Sequence, residues 1–192
     1  MERGTALALD ASAMLNLLAT GCLPEILTAA GAKFVAVGPA IAEVRTHPID
    51  RSNDPMTPFL ARRLPAPAAL SPVGLETFIS LVSAKAPDDL GDGEAATIAH
   101  AHDEGLGIVL DDRKARRICA VRYPALHVVS SVELFRLAEV EAALGAARFR
   151  KAVFDALRLA RMRVLAADDP WIRTLLDEAE IAQCPSLRRR LK

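Results

Sequence analysis

A chain of 192 residues that is 52% hydrophobic has apolar material for a folded core, which excludes a disordered polypeptide. Its 24 Lys and Arg balance 24 Asp and Glu, so no overall charge marks it for a polyanion; the surplus of basic residues is confined to 97–192, where it fits either polyanion binding or solvated helix surface. Three widely spaced cysteines, Cys22, Cys119 and Cys184, exclude a disulfide framework and a CxxC metal pair and fit reduced thiols, while charges and prolines break every apolar run short of a membrane span. The N-terminus has no signal-peptide pattern. A cytoplasmic protein with no membrane partner is expected.

The elements follow from apolar spacing in chain order. "TALAL" (5–9) predicts a strand that stops on Asp10, followed by a helix with Met14, Leu17 and Leu18 on one face. A short helix over 23–31 closes on Gly31, "KFVAV" (33–37) is a strand, and "GPAIAEV" (38–44) opens a helix with Pro39 in its tolerated first turn. Residues 47–72 are proline-rich and aperiodic, hence a loop or insertion. Helices are predicted over 73–85 and about 93–104, then a strand "LGIVL", a helix "RKARRICAVRY" halted by Pro124, and a strand "LHVVS". A single helix is expected from Ser130, where Ser130 and Glu133 form a capping box, to Gly145. Two more follow, "ARFRKAVFDALRLARMR" and "DDPWIRTLLDEAEIAQC", before a basic tail. Strands alternating with helices predict an α/β fold, a central parallel sheet with helices on both faces.

In such a sheet, ligands bind beyond the carboxyl ends of the strands. Asp10 ends the first strand, and Asp111 and Asp112 end a later one. Glu43 lies on the helix after the second strand, and Asp92 and Glu94 open the helix before "LGIVL". Each acid alone reads more simply as a helix cap or a first-turn carboxylate. Four segments delivering acids to one edge are harder to explain that way. Clustered carboxylates need a counter-charge, and oxygen-only ligation suits Mg²⁺ or Mn²⁺. Arg113, Lys114, Arg116 and Arg117 follow at once and are placed to hold a phosphate backbone. His100 and His102, two apart on a helix, face different directions and make no zinc site.

Five segments in order carry a resemblance. "LALDASAMLNLL" resembles the first motif of PIN-domain proteins, a strand, Asp10, then a small polar residue, Ser12. "VAVGPAIAEV" is similar to the second, with its acid at Glu43, and "LGDGEAATIAHA" to the third, with Glu94. "IVLDDRKARRIC" resembles the fourth, with Asp112 as the last acid and Asp111 beside it, and "LHVVSSVELF" resembles the closing strand and helix. The resemblance implies a compact three-layer fold and a Mg²⁺- or Mn²⁺-dependent endoribonuclease, often the toxin of a bacterial toxin–antitoxin pair. RNA, an antitoxin protein and a second copy of the chain would be its partners. Asp10, Glu43, Glu94 and Asp112 would hold the metal, assisted by Asp111 or Asp92. Residues 1–145 would form the PIN-like nuclease domain with the proline-rich insertion. Residues 146–192 would be a helical extension packed on that domain or on a partner. Other classes remain open: a receiver-like or Rossmann-like Mg²⁺-binding signalling module, or a catalytically silent PIN fold used for protein binding.

Overall fold

A computed structural model describes residues 6–53, 56 and 67–188. Four strands form one parallel sheet: β1 (Ala6–Leu9), β2 (Lys33–Val35), β3 (Gly107–Val109) and β4 (Val128–Val129), in the order β2-β1-β3-β4. Leu7 pairs with Phe34 on one side and Gly107 on the other, and Ile108 pairs with Val128. The side-chain alternation of a strand divides the core in two. Leu7, Leu9 and Val109 face one layer; Ala8, Ile108 and Leu110 face the other. Both faces are covered, which is why the strands read as continuous apolar runs.

The first layer contains α1 (Ala11–Ala19), α2 (Leu23–Ala30), α7 (Ser131–Phe135), α8 (Ala138–Leu144) and α9 (Ala146–Leu159). The second contains α4 (Pro72–Val82), α5 (Asp92–Asp103) and α6 (Arg113–Arg122). Helix α3 (Gly38–Glu43) follows β2 and packs against α5. The fold is therefore α/β with three layers. Because the chain moves from β1 outward to β2 and later returns to place β3 on the other flank of β1, the order reverses between β1 and β3. A crevice opens at such a reversal beyond the carboxyl ends of the strands.

Three helices expected to be continuous are broken. The segment after Ser130 forms α7 and α8 because Leu137 leaves helical geometry (φ −68°, ψ 125°), which re-aims the chain so that Leu134, Phe135, Val140 and Leu144 are all buried. The helix expected to run through Arg163 ends at Leu159. Arg161 takes the left-handed conformation (φ 57°) and Met162 N–H donates back to the Ala156 carbonyl at 3.1 Å, which turns the chain off the helix axis. The last expected helix is two, α10 (Asp169–Leu175) and α11 (Glu178–Ile181), and a further short one, α12 (Pro185–Arg188), follows it. A capping box of Asp177 and Glu180 starts α11 afresh.

The chain beyond Gly145 shares the main core. Phe149, Val153, Leu157, Met162, Ile172 and Leu176 are buried in the same cluster as Leu7, Met14 and Leu17, and α9 lies against α1. Each large apolar side chain buried there is worth about 1.5–3 kcal/mol. Of the insertion expected at 47–72, residues 54–55 and 57–66 lie outside the described residues. Its ends are tied down: Thr46 bridges Asn53, and Ala68 pairs parallel to Val37 beside β2. Among the described residues no single helix is long and apolar enough to cross a membrane.

Candidate metal centre

Asp10 leaves β1 and caps α1 in one residue. Its backbone N–H still donates to the Val109 carbonyl (3.2 Å), so it is locked at the crevice between β1 and β3. Its Oδ2 accepts from the Ser12 backbone (3.1 Å) and hydroxyl (2.6 Å). Its Oδ1 is buried and accepts no hydrogen bond among the described residues. A buried lone carboxylate oxygen with nothing to neutralise it costs free energy. Burial accordingly raises the Asp10 pKa, against the Ser12 hydrogen bonds, with a further push from the Glu43 charge. Ser12, which the resemblance offers as a substrate contact, also fixes the Asp10 rotamer.

Glu43 arrives from the end of α3. Its Oε1 accepts the Gly93 N–H at 2.9 Å, which joins α3 to the first turn of α5. A Cβ on Gly93 would lie 2.6 Å from the Glu43 carboxyl carbon, so glycine is what lets the carboxylate reach the helix start. One residue on, the half-buried Glu94 meets the other acids. Its pKa is pushed up to about 7, first by burial and then by the charges of Asp112 and Asp10. That coupling ties together carboxylates from α5, β1 and β3 in the crevice. Asp92 is the exposed first residue of α5, where a carboxylate meets the positive end of the helix.

The two aspartates after β3 diverge. Asp112 caps α6: its Oδ1 accepts from Lys114 N–H (2.7 Å) and Ala115 N–H (3.1 Å), and its Oδ2 is paired with Arg163 at 2.9 Å. Asp111 is buried and turns away from the cluster. Its Oδ1 accepts the Ser131 N–H at 2.8 Å, and its Oδ2 accepts from Asn16 (2.7 Å) and from the Ser131 hydroxyl. Burial raises its pKa, opposed by those donors and by Arg116. With both oxygens engaged, Asp111 ties the end of β3 to α1 and to the start of α7.

The cations expected to hold phosphate are mostly committed. Lys114 bonds the Asp89 carbonyl and sits 3.5 Å from its carboxylate, and Arg117 pairs with Asp88. Arg116 donates to the Leu110 carbonyl at 2.9 Å. Arg113 is exposed at the start of α6 and has no ion pair among the described residues. Asn16, Ser131, Gly93 and Arg163 were not singled out from the sequence. Only the glycine beside Glu94 had a legible signal, a residue without a side chain at a helix start facing another acid. His100 is buried and His102 stacks on Tyr123 with ring centroids 4.6 Å apart, so the two do diverge.

No three Asp, Glu, His or Cys side chains among the described residues are close enough together to clasp an ion as they stand. Glu43 is engaged by Gly93 and Asp112 by Arg163. The donor set still suits a hard cation. It consists of carboxylates alone, it includes an unpartnered buried oxygen on Asp10, and it destabilises its own negative charge at Glu94. No protein family, no characterised protein and no solved structure matches the chain.

Proposed function

We propose that the protein is a Mg²⁺- or Mn²⁺-dependent endoribonuclease of the PIN type, hydrolysing RNA phosphodiester bonds. The observation that carries this reading is the coupling of Glu94 to Asp112 and Asp10 beside the unpartnered Asp10 oxygen, at the reversal point of a parallel sheet. The resemblance of five ordered segments to PIN motifs supplies the substrate class.

Asp10, Glu43, Glu94 and Asp112 would hold the ion. A divalent ion bound there polarises a phosphoryl oxygen and acidifies a bound water. The chain's own contribution is positional. Ser12 holds one Asp10 oxygen and leaves the other without a partner among the described residues. The α6 N-terminal N–H groups fix the Asp112 carboxylate. The Glu94 carboxyl keeps its proton up to near neutral pH and releases it when positive charge enters the cluster. Arg113, exposed at the head of α6 and without an ion pair among the described residues, would meet a phosphate.

The test is incubation of the purified protein with single-stranded RNA in Mn²⁺ or in EDTA, beside an Asp112→Asn variant. Cleavage in Mn²⁺ that disappears in EDTA and in the variant is expected. Mn²⁺ uptake without cleavage would favour a binding module, and neither uptake nor cleavage would overturn the reading.

A further inference from the structure

The turn after α9 brings a cation from the C-terminal segment to the acid cluster. Arg161 reverses the chain through its left-handed backbone, and Met162 and Val164 bury their side chains. Arg163, between them, is left on the outside, half exposed, with Nη1 2.9 Å from Asp112 Oδ2. Asp112 Oδ1 is occupied by the cap of α6, so Oδ2 is the oxygen it retains for an ion. Arg163 stands on that oxygen. The nearby cations of α6 do not: Lys114 and Arg117 are held by Asp89 and Asp88, and Arg116 by the Leu110 carbonyl.

We infer that Arg163 is the resident counter-ion of the acid cluster and competes with a divalent cation for Asp112. The inference rests on the metal-centre reading above. Its physical basis is charge. The cluster repels itself when empty, and a guanidinium on one of its carboxylates relieves that repulsion. Two cations on one carboxylate oxygen repel each other, so either one weakens the binding of the other. A fixed internal cation lowers the affinity of the site for an external one, and the C-terminal segment thereby sets how much metal the protein needs.

The competition is read by calorimetric titration of the full chain with Mn²⁺ at low salt, comparing wild type with Arg163→Ala, Arg163→Gln and Arg163→Lys. Because a half-exposed ion pair is modest in strength, Mn²⁺ binding should tighten by about two- to fivefold in the Ala and Gln variants. The Lys variant, which keeps the charge, should stay near wild type. A residue serving only to pin the C-terminal turn would not tighten metal binding. Equal or weaker Mn²⁺ affinity in folded Ala and Gln variants overturns the inference while leaving the metal centre intact. Absence of Mn²⁺ uptake by every form, wild type included, overturns the metal centre itself and the inference with it.

Discussion

Asp111 and Asp112 are neighbours in sequence and opposites in structure. Around Asp111, Asn16 and Ser131 form a closed network in which both carboxylate oxygens are matched by donors. Across the backbone, Asp112 faces Asp10 and Glu94, where acceptors outnumber donors and one Asp10 oxygen has no partner. The first region is complete without a ligand; the second is not. Burial disfavours the charge in both regions, but around Asp111 three donors offset it, whereas at Asp10 one oxygen has no donor and at Glu94 the neighbouring acids add to it. The contrast predicts opposite responses to mutation.

The largest effect on stability is expected in the closed network. Asp111→Ala leaves the Ser131 N–H, the Ser131 hydroxyl and the Asn16 amide without their acceptor in a buried site. Unfolding by urea should show a loss of about 2–4 kcal/mol. A loss under about 1 kcal/mol would mean that other acceptors, water included, replace the carboxylate.

The open cluster should respond in the other direction. The Glu94 pKa is raised from 4.5 to about 7 in the folded protein, so the folded form holds a proton that the unfolded chain has lost. Stability from this group is full below about pH 4.5, falls as pH rises to about 7, and stays low above that. Glu94→Gln should therefore stabilise the metal-free protein at pH 8 by on the order of 1–3 kcal/mol and leave it nearly unchanged at pH 4. Thermal melts in EDTA across that range check the sign. A variant less stable than wild type at pH 8 would contradict it.

Gly93→Ala sharpens the comparison further, because stability and activity should part. Alanine favours a helix over glycine by up to about 1 kcal/mol, yet its Cβ drives against the Glu43 carboxylate. RNA cleavage should fall about tenfold or more, the scale seen when the support of a ligand is removed, with the melting temperature unchanged or slightly higher. The smallest effects belong to the exposed rim. Lys114→Ala and Arg117→Ala each break a solvent-exposed pair with the 88–89 loop and should cost about 0–1 kcal/mol. Because those cations are already paired, each should leave the salt dependence of RNA binding almost unaltered; a clearly flatter slope would show that they leave their partners for phosphate.

How much of this was legible in the sequence depends on whether a feature is local. The strands were legible because apolar runs such as "GIVL" stop abruptly on acids. That Asp10 and Asp112 follow neighbouring strands on one side of the sheet was legible from parallel-sheet geometry, which sends every strand end to the same side. The division between Asp111 and Asp112 was not legible, since it turns on Asn16 and Ser131, remote residues that look like ordinary members of α1 and α7. The pairing of Lys114 and Arg117 escaped for the same reason: their partners, Asp89 and Asp88, lie in a loop before α5 rather than one helical turn away. Arg163 was hidden inside an apparent amphipathic helix, because Arg161 gives no warning of a left-handed turn that glycine would have announced.

Asp10 is the acid on which the proposed metal centre most directly depends. Asparagine caps a helix about as well as aspartate and can still accept the Ser12 hydroxyl, so Asp10→Asn keeps the local geometry while removing one charge from the cluster. The decisive measurement pairs RNA cleavage in Mn²⁺ with thermal stability in EDTA for this one variant. Cleavage should fall by about a hundredfold or more while the metal-free protein melts no lower than wild type. Full cleavage by a folded Asp10→Asn protein would contradict it.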